Sequence, residues 1–385
     1  MKLDDLDPAR LRQRLSAKWQ HYGEGVLPAW VAEMDFPIAP AIRAVLERAI
    51  EHDDFGYPAY EYERLVPEAF AERMRARYGW NAEADRVVVL SDVVQGIYLC
   101  LLAFSARGDG VVIQTPIYPP FLFSARDTER RAITCPLVDD GQRHVIDFER
   151  LRAESDGARV LLLCHPHNPT GRVWARAELE ALAALAIERD WLVLSDEIHA
   201  DLTHPGATFV PFAALGPEVA ARTITFSSAS KAFNIAGLRC AVAHFGSQDL
   251  QTRFERHLPA HVRGGIGILS QHAMTAAWRE GDAWLNEVKT LLDRQRRRLL
   301  ERVQHELPEV RLRLPEATYL AWLDLSALRL SPTPAEFLRR RAQVALSDGA
   351  AFGAGFGQCA RLNFATSPAL LDEILDRVVR AVRAG

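Results

Sequence analysis

Residues 223–243 read TITFSSASKAFNIAGLRCAVA. An apolar, β-branched run predicts a strand at the start, and small hydroxyl residues, including Ser228 and Ser230, follow it. They lead to one lysine, Lys231, and to one arginine, Arg239, eight residues later. A lysine placed after a strand and among serines suits a protein that holds an aldehyde cofactor as a Schiff base with a phosphate nearby. Such a site needs further polar side chains, which the rest of the chain has to supply.

Strands and helices alternate on both sides of this stretch. Near-continuous apolar runs predict buried strands, and amphipathic segments between them predict helices. The predicted strands are RVVVL (86–90), GVVIQTP (110–116), RAITCPL (131–137), RVLLLC (159–164), WLVLSDEIHADL (191–202), TITFS (223–227) and CAVAHFG (240–246). This β-α-β alternation predicts an α/β fold with a mostly parallel sheet between two layers of helices.

Polar side chains follow four of the apolar runs, namely Tyr118, Asn168, Asp196 and Lys231. In open parallel sheets, ligands bind at the carboxyl ends of the strands. Asn168, in NPTG, also suits an ordinary turn. Asp196 needs a cationic partner at the end of an apolar strand, which is either an arginine or a protonated ring nitrogen. The shared position of the four residues favours one site.

A helix is predicted to begin after Asp92, in the segment SDVVQGIYLCLLAF (91–104). Asp92 and Gln95 have the spacing of an N-cap residue and its reciprocal partner. The amides of Val93 and Val94, at the positive end of the helix dipole, would then face a ligand above the sheet, which suits a phosphate.

The composition is that of an ordinary enzyme. The chain has 385 residues, 49% of them apolar and 25% charged, which gives room for one large and one small domain. A net charge of −4 gives no reason to expect nucleic acid as a partner. The charged N-terminus lacks the apolar core of a signal peptide, and no apolar run approaches the roughly 20 residues of a membrane span. Five single cysteines without a CxxC motif predict reduced thiols in a cytoplasmic protein and no metal site.

Eight segments along the chain carry a family resemblance: LPAWVAEMDFP, FGYP, TPIYPPF, CHPHNPTGRVW, SDEIHADL, SSASKAFNIAGLR, ATYLAWLDLS and RLNFATSPALL. The sequence resembles the fold-type I pyridoxal-phosphate (PLP) enzymes of the aspartate aminotransferase superfamily, and within them the MalY/PatB group of cystathionine β-lyases. The resemblance implies a large PLP-binding domain (41–282) with a seven-stranded, mostly parallel sheet. It also implies a smaller α+β domain formed by an N-terminal arm (1–40) and the C-terminal segment (283–385).

The resemblance also implies roles for the residues at the strand ends. Lys231 would bind the cofactor aldehyde and act as the acid-base group. Asp196 would pair with the pyridine nitrogen, and Asn168 would donate to the ring's 3′ oxygen, with His199 on the same side. Tyr118 would stack on the ring face, close to the substrate's leaving group.

Further residues are implied to hold the phosphate and the substrate. Phosphate contacts would come from Val93, Val94, Ser228, Ser230 and Arg239, and from Tyr57 of the neighbouring subunit in a homodimer. Arg361 would bind the substrate's α-carboxylate, and the arm at Trp30, Ala32 and Glu33 would close the pocket. The sequence departs from the usual pattern at Glu33 and Asp92, where related sequences have aspartate and glycine, and at Ala317, which also replaces a glycine. Asp92 is therefore interpreted as a helix cap.

The implied reaction is β-elimination of L-cystathionine or a related cysteine S-conjugate to a thiol, pyruvate and ammonia. Transamination between an amino acid and a 2-keto acid would use the same residues and is the alternative. A third hypothesis is a regulatory binding role beside catalysis. The lyase-like segments favour β-elimination.

Overall fold

A seven-stranded sheet forms the centre of the protein. The computed structural model describes residues 3–59 and 63–384. From edge to edge the strands are Val87–Leu90, Ala241–Phe245, Thr223–Ser227, Leu192–Asp196, Ala158–Cys164, Gly110–Thr115 and Arg131–Pro136. All neighbours pair in parallel except Ala241–Phe245, which runs antiparallel to both of its neighbours. The prediction of a seven-stranded, mostly parallel sheet is confirmed.

Helices cover both faces of this sheet. Along the strand Ala158–Cys164, Val160 and Leu162 pack into one apolar cluster, and Leu161 and Leu163 pack into another. This is the two-residue alternation of a strand that is buried on both faces. The helices against the first face are Val93–Phe104, Pro119–Asp127 and Gln248–His257, and those against the second are Phe148–Glu154, Arg176–Glu188 and Pro217–Ala221.

One predicted strand is shorter than the sequence pattern indicates. WLVLSDEIHADL predicts a strand over 191–202, but the observed strand Leu192–Asp196 ends at the aspartate. The chain then leaves the sheet and forms a 3₁₀ turn, Ala200–Leu202. The shorter strand places Asp196 at the carboxyl edge, where it pairs in register with Phe226 of Thr223–Ser227.

A second, four-stranded antiparallel sheet lies in the C-terminal part of the chain. Its strands, in spatial order, are Arg311–Leu312, Leu320–Asp324, Cys359–Asn363 and Ser347–Asp348. The N-terminal arm joins this region, because Leu27–Pro28 pairs in parallel with Val344–Ala345. The remaining helices are Pro8–Arg12, Ala17–Gln20, Pro40–Glu51, Leu65–Tyr78, Ala260–Arg263, Ile268–Glu280, Asp282–Glu306, Pro334–Arg341 and Pro368–Arg383. The domain boundaries near residues 40 and 282 remain predictions.

Within the described ranges, every helix is too short or too polar to cross a membrane.

Candidate active site

Lys231 lies just past the carboxyl end of the strand Thr223–Ser227. Its Nζ donates a hydrogen bond to the carbonyl of Ala32, 3.2 Å away in the N-terminal arm. Burial lowers the pKa of Lys231 to about 8, and the charge of Arg361 lowers it further, while Asp196 and Glu33 act in the opposite direction. An amine with this pKa is partly neutral near pH 7, which suits both nucleophilic attack and proton transfer.

Asp196 is a buried carboxylate at the end of the neighbouring strand. Its Oδ1 accepts a hydrogen bond from the backbone N–H of Ile198 at 3.1 Å. Burial raises the pKa of Asp196 to about 6, although this N–H and the charge of Lys231 oppose the shift. No side chain in the described ranges forms an ion pair with it, so the arginine partner that the sequence left open is not observed. A cationic ligand group at this carboxylate would compensate the cost of its burial.

Asn168 and Tyr118 lie together at the same sheet edge. The backbone N–H of Tyr118 donates to the carbonyl of Asn168 at 3.2 Å. Tyr118 is half-buried directly before the helix Pro119–Asp127, and burial raises the pKa of its phenol. The side-chain Oδ1 of Asn168 accepts from Nη1 of Arg361 at 3.0 Å. Asn168 therefore links the large sheet to the C-terminal sheet, beyond the turn role that its motif indicates.

His199 is buried and uncharged. Burial lowers its pKa to about 3, with smaller contributions from the positive charges of Lys231 and Arg361. Its Nδ1 has no hydrogen-bond partner among the described residues. A buried polar atom without a partner is costly unless a ligand or water completes it.

The helix Val93–Phe104 begins as the sequence predicts. Oδ1 of Asp92 accepts from the N–H of Gln95 at 2.8 Å, so Asp92 is the N-cap residue. The reciprocal bond differs from the prediction, because Oε1 of Gln95 accepts from the N–H of Ser91 at 3.0 Å instead. The other carboxylate oxygen of Asp92 forms an ion pair with Arg239.

Three of the predicted phosphate residues lie in one loop beside this helix. Arg239 has a φ of 53°, in the left-handed region that few non-glycine residues adopt, and such backbones are concentrated at binding sites. The hydroxyl of Ser228 donates to the carbonyl of Cys240 at 2.6 Å and accepts from the N–H of Ser230 at 3.0 Å. Because Arg239 pairs with Asp92, the structure brings the loop and the helix N-terminus together.

Arg361 is a buried arginine without an acidic partner in the described ranges. Its guanidinium donates to three neutral acceptors: the amide of Asn168 at 3.0 Å, the carbonyl of Trp30 at 2.9 Å and the hydroxyl of Ser347 at 3.1 Å. Its Nε is buried and unpaired. Burial lowers the pKa of Arg361 to about 10. An uncompensated buried guanidinium favours an anionic ligand, and a carboxylate matches its planar geometry.

The arm residues that the sequence singles out are held against the site by hydrogen bonds. The carbonyl of Ala32 accepts from Nζ of Lys231 and from the hydroxyl of Tyr319, the latter at 3.0 Å. Nδ2 of Asn363 donates to the carbonyls of Val31 and Glu33, both at 2.7 Å. The sequence does not predict these contacts of Tyr319 and Asn363. Both residues only belong to segments that carry the family resemblance, ATYLAWLDLS and RLNFATSPALL.

A buried ion pair within the arm is also absent from the sequence-based prediction. Nζ of Lys18 lies 2.9 Å from Oδ2 of Asp35, and the two side chains are only 1% and 2% exposed. Nε1 of Trp19 donates to the other oxygen of Asp35 at 2.7 Å. A charged residue in an amphipathic N-terminal segment is ordinarily exposed, so only the fold reveals this pair.

Tyr57 is the one predicted site residue that the structure does not bring to the others. Its side chain is fully exposed, and it borders a surface cavity of about 1300 Å³ that also touches Gly237 and Leu238. A separate cavity of about 560 Å³ is bordered by Trp30, Tyr118 and Arg361. This second cavity, called the substrate cavity below, has the volume of a small-molecule site.

These features fit a phosphate-bearing pyridine aldehyde. Among the described residues, the buried carboxylate of Asp196 has no ion-pair partner and Nδ1 of His199 has no hydrogen-bond partner, and Lys231 supplies an amine with a lowered pKa. A mostly parallel sheet with such a lysine and aspartate at its carboxyl edge defines the class of fold-type I PLP enzymes.

Comparisons with known proteins agree with this class. The model of the family described as aminotransferase class I and II matches residues 31–378, so the chain belongs to that family. Cystathionine beta-lyase of Corynebacterium glutamicum is 35% identical, with 98% of this chain and 99% of that protein covered. Cystathionine beta-lyase PatB of Bacillus subtilis is 34% identical, with 95% and 96% covered. The crystal structure of the PLP-bound C-S lyase from Staphylococcus hominis has a TM-score of 0.92 at 28% identity and 99% coverage of both chains. The cofactor of this family is PLP.

Proposed function

We propose that the protein is a PLP-dependent carbon–sulfur β-lyase. It cleaves L-cystathionine or a related cysteine S-conjugate, with water, to a thiol, pyruvate and ammonia. The observation that carries this proposal is Arg361, a buried guanidinium that has no acidic partner among the described residues and that borders the same cavity as Tyr118. The relatives named cystathionine beta-lyase match nearly the whole chain and support the same reaction.

The cofactor would be held by residues from several strand ends. Lys231 would bind its aldehyde, Asp196 its ring nitrogen, and Tyr118 one face of its ring. Asn168 and His199 would lie beside its ring oxygen. The phosphate contacts would come from the amides of Val93 and Val94 and from Ser228, Ser230 and Arg239.

The chain's own groups would then carry the substrate through the reaction. When bound, the cofactor withdraws electrons and stabilises the negative charge that remains once the substrate's α-proton is removed. Arg361 holds the α-carboxylate and so orients the α-hydrogen towards Lys231. Nζ of Lys231 takes that proton, because its lowered pKa leaves it partly neutral near pH 7. Tyr118, which borders the cavity, would lie close to the departing sulfur.

Incubation of the purified holoenzyme with L-cystathionine tests the proposal. Pyruvate and free thiol are expected in equal amounts, without added keto acid. Amino transfer that depends on a keto acid and releases no pyruvate would instead establish the aminotransferase alternative.

Two further parts of the proposal concern assembly and location. A homodimer is supported by the exposure of Tyr57, which leaves its side chain free to reach a neighbouring subunit's phosphate site. Phe55 and Val262 are also exposed, and exposed apolar side chains are available for contact with a second subunit. A cytoplasmic location is supported by five cysteines that are all buried and unpaired, as is usual in a reducing compartment.

The ion pair between Asp92 and Arg239 leads to a prediction about cofactor affinity. The Asp92 carboxylate competes with the phosphate for Arg239 and repels the phosphate's negative charge. We expect Asp92→Asn, which keeps a capping oxygen, to lower the Kd for PLP about two- to fivefold, the range of a partly exposed charge interaction.

Titration of the apoenzyme with PLP, followed by tryptophan fluorescence, measures this Kd. Asp109→Asn is the matched control, because Asp109 caps a surface turn at the N–H of Ala106 and should leave the Kd unchanged. A higher Kd in Asp92→Asn would mean that Asp92 positions Arg239 for the phosphate and does not compete with it.

A further inference from the structure

The substrate cavity extends beyond the residues that would hold the reacting amino acid. Besides Tyr118 and Arg361, its lining includes Glu336 and Arg339 of the helix Pro334–Arg341, and Asp348. Three charged side chains therefore border the part of the cavity that no proposed catalytic role uses. In a β-lyase, the group attached to the sulfur has to occupy space of this kind.

Arg339 is the second arginine in this lining, beside Arg361, and its pairing with acidic side chains is weak. Within the described residues its one ion-pair partner is Glu336, and the closest atoms, Nη2 and Oε1, are 3.8 Å apart. That same Oε1 of Glu336 forms a closer ion pair with Arg340. Arg339 borders the cavity, its side chain is 42% exposed, and its guanidinium still carries donors for a ligand.

The two acidic residues do not cancel this charge. Asp348 accepts hydrogen bonds from the hydroxyl of Thr333 at 2.8 Å and from the N–H of Ala350 at 2.9 Å. Glu336 is held by Arg340. Arg340 therefore offsets the charge of Glu336. Both oxygens of Asp348 are occupied by donors of the protein, so neither carboxylate is free to form a close ion pair with Arg339.

We propose that Arg339 binds a carboxylate at the far end of the sulfur substituent. The inference rests on the proposed lyase function and specifies its substrate class. The preferred substrates are cysteine S-conjugates with two carboxylates, one at the α-carbon for Arg361 and one on the leaving thiol for Arg339. Conjugates with a short, uncharged alkyl group gain nothing from Arg339.

Steady-state kinetics with two substrates test this inference. L-Cystathionine carries the second carboxylate, and S-ethyl-L-cysteine lacks it. In Arg339→Gln we expect the KM for L-cystathionine to rise about tenfold with kcat nearly unchanged, the effect of losing one charge-assisted contact made throughout the reaction. Both constants for S-ethyl-L-cysteine should stay at the wild-type values, which also shows that the variant is folded and loaded.

Arg341→Gln is the control variant, because Arg341 is an exposed arginine of the same helix that borders a different cavity. Arg340 is unsuitable, since its loss would release Glu336 to pair with Arg339. An equal effect of Arg339→Gln on both substrates, or no effect on either, would overturn the inference. If the wild-type holoenzyme releases pyruvate from neither substrate, the proposed function is overturned, and this inference with it.

Discussion

Replacement of Lys231 by alanine is expected to lower pyruvate release from L-cystathionine by roughly 10³-fold or more, because the variant loses both the nucleophile and the proton carrier. Nζ of Lys231 is directed towards the carbonyl of Ala32. The chain contains four lysines, Lys2, Lys18, Lys231 and Lys289, and Lys18 is enclosed in its ion pair with Asp35.

The small number of lysines makes the test direct. Borohydride reduction of the holoenzyme, followed by proteolysis and mass spectrometry, should place the trapped cofactor on the peptide that contains Lys231. Lys289→Arg, a change on the helix Asp282–Glu306, should keep both the adduct and the activity. An undiminished adduct in Lys231→Ala would refute the assignment of this lysine.

Replacement of Asp35 by alanine is expected to lower the free energy of unfolding by about 3–5 kcal/mol, the usual cost of removing one partner from a buried ion pair. The variant leaves the ammonium of Lys18 buried without its counter-ion, and the indole N–H of Trp19 without its acceptor. The same change should raise the KM for substrate. Asp35 lies three residues after Ala32, whose carbonyl accepts the hydrogen bond from Nζ of Lys231. If the arm is less firmly packed, this hydrogen bond is held less well.

Denaturant unfolding of the apoenzyme measures this loss. Asp4→Ala is the matched control, because Asp4 forms an exposed ion pair with Arg294 whose loss should cost at most about 1 kcal/mol. A double variant, Lys18→Met with Asp35→Leu, should recover much of the stability, since it leaves no buried charge. Equal losses in Asp35→Ala and Asp4→Ala would show that the pair is not important for stability.

The sequence was sufficient to predict the sheet edge and the residues on it. Asn168, Asp196 and Lys231 each follow an apolar run, and adjacent parallel strands bring such positions together whatever the loops do. The N-cap at Asp92 could also be predicted, because it depends on contacts only three residues apart. Local patterns and a general rule of parallel sheets account for these successes.

Contacts between distant segments could not be predicted in this way. The pairing of Asp92 with Arg239 spans 147 residues, and the bond from Arg361 to Asn168 spans 193. No periodicity or spacing specifies partners so far apart. The sequence also does not specify the antiparallel direction of Ala241–Phe245, because the apolar pattern of a strand is the same in either direction. Tertiary packing decides all three features.

The three neutral acceptors around Arg361 have a consequence for selectivity between amino acids and simple amines. A substrate carboxylate can replace a carbonyl, an amide or a hydroxyl as the acceptor of Arg361, and no negatively charged side chain loses its partner as a result. In the proposed function, entry of a substrate therefore exchanges weak acceptors of Arg361 for a strong one. An amine without a carboxylate offers no such exchange, because Arg361 then keeps the three neutral acceptors that it has in the free protein. We therefore expect the pocket to bind polyamines and other free amines more weakly than amino acids, which limits their reaction with the cofactor's aldehyde.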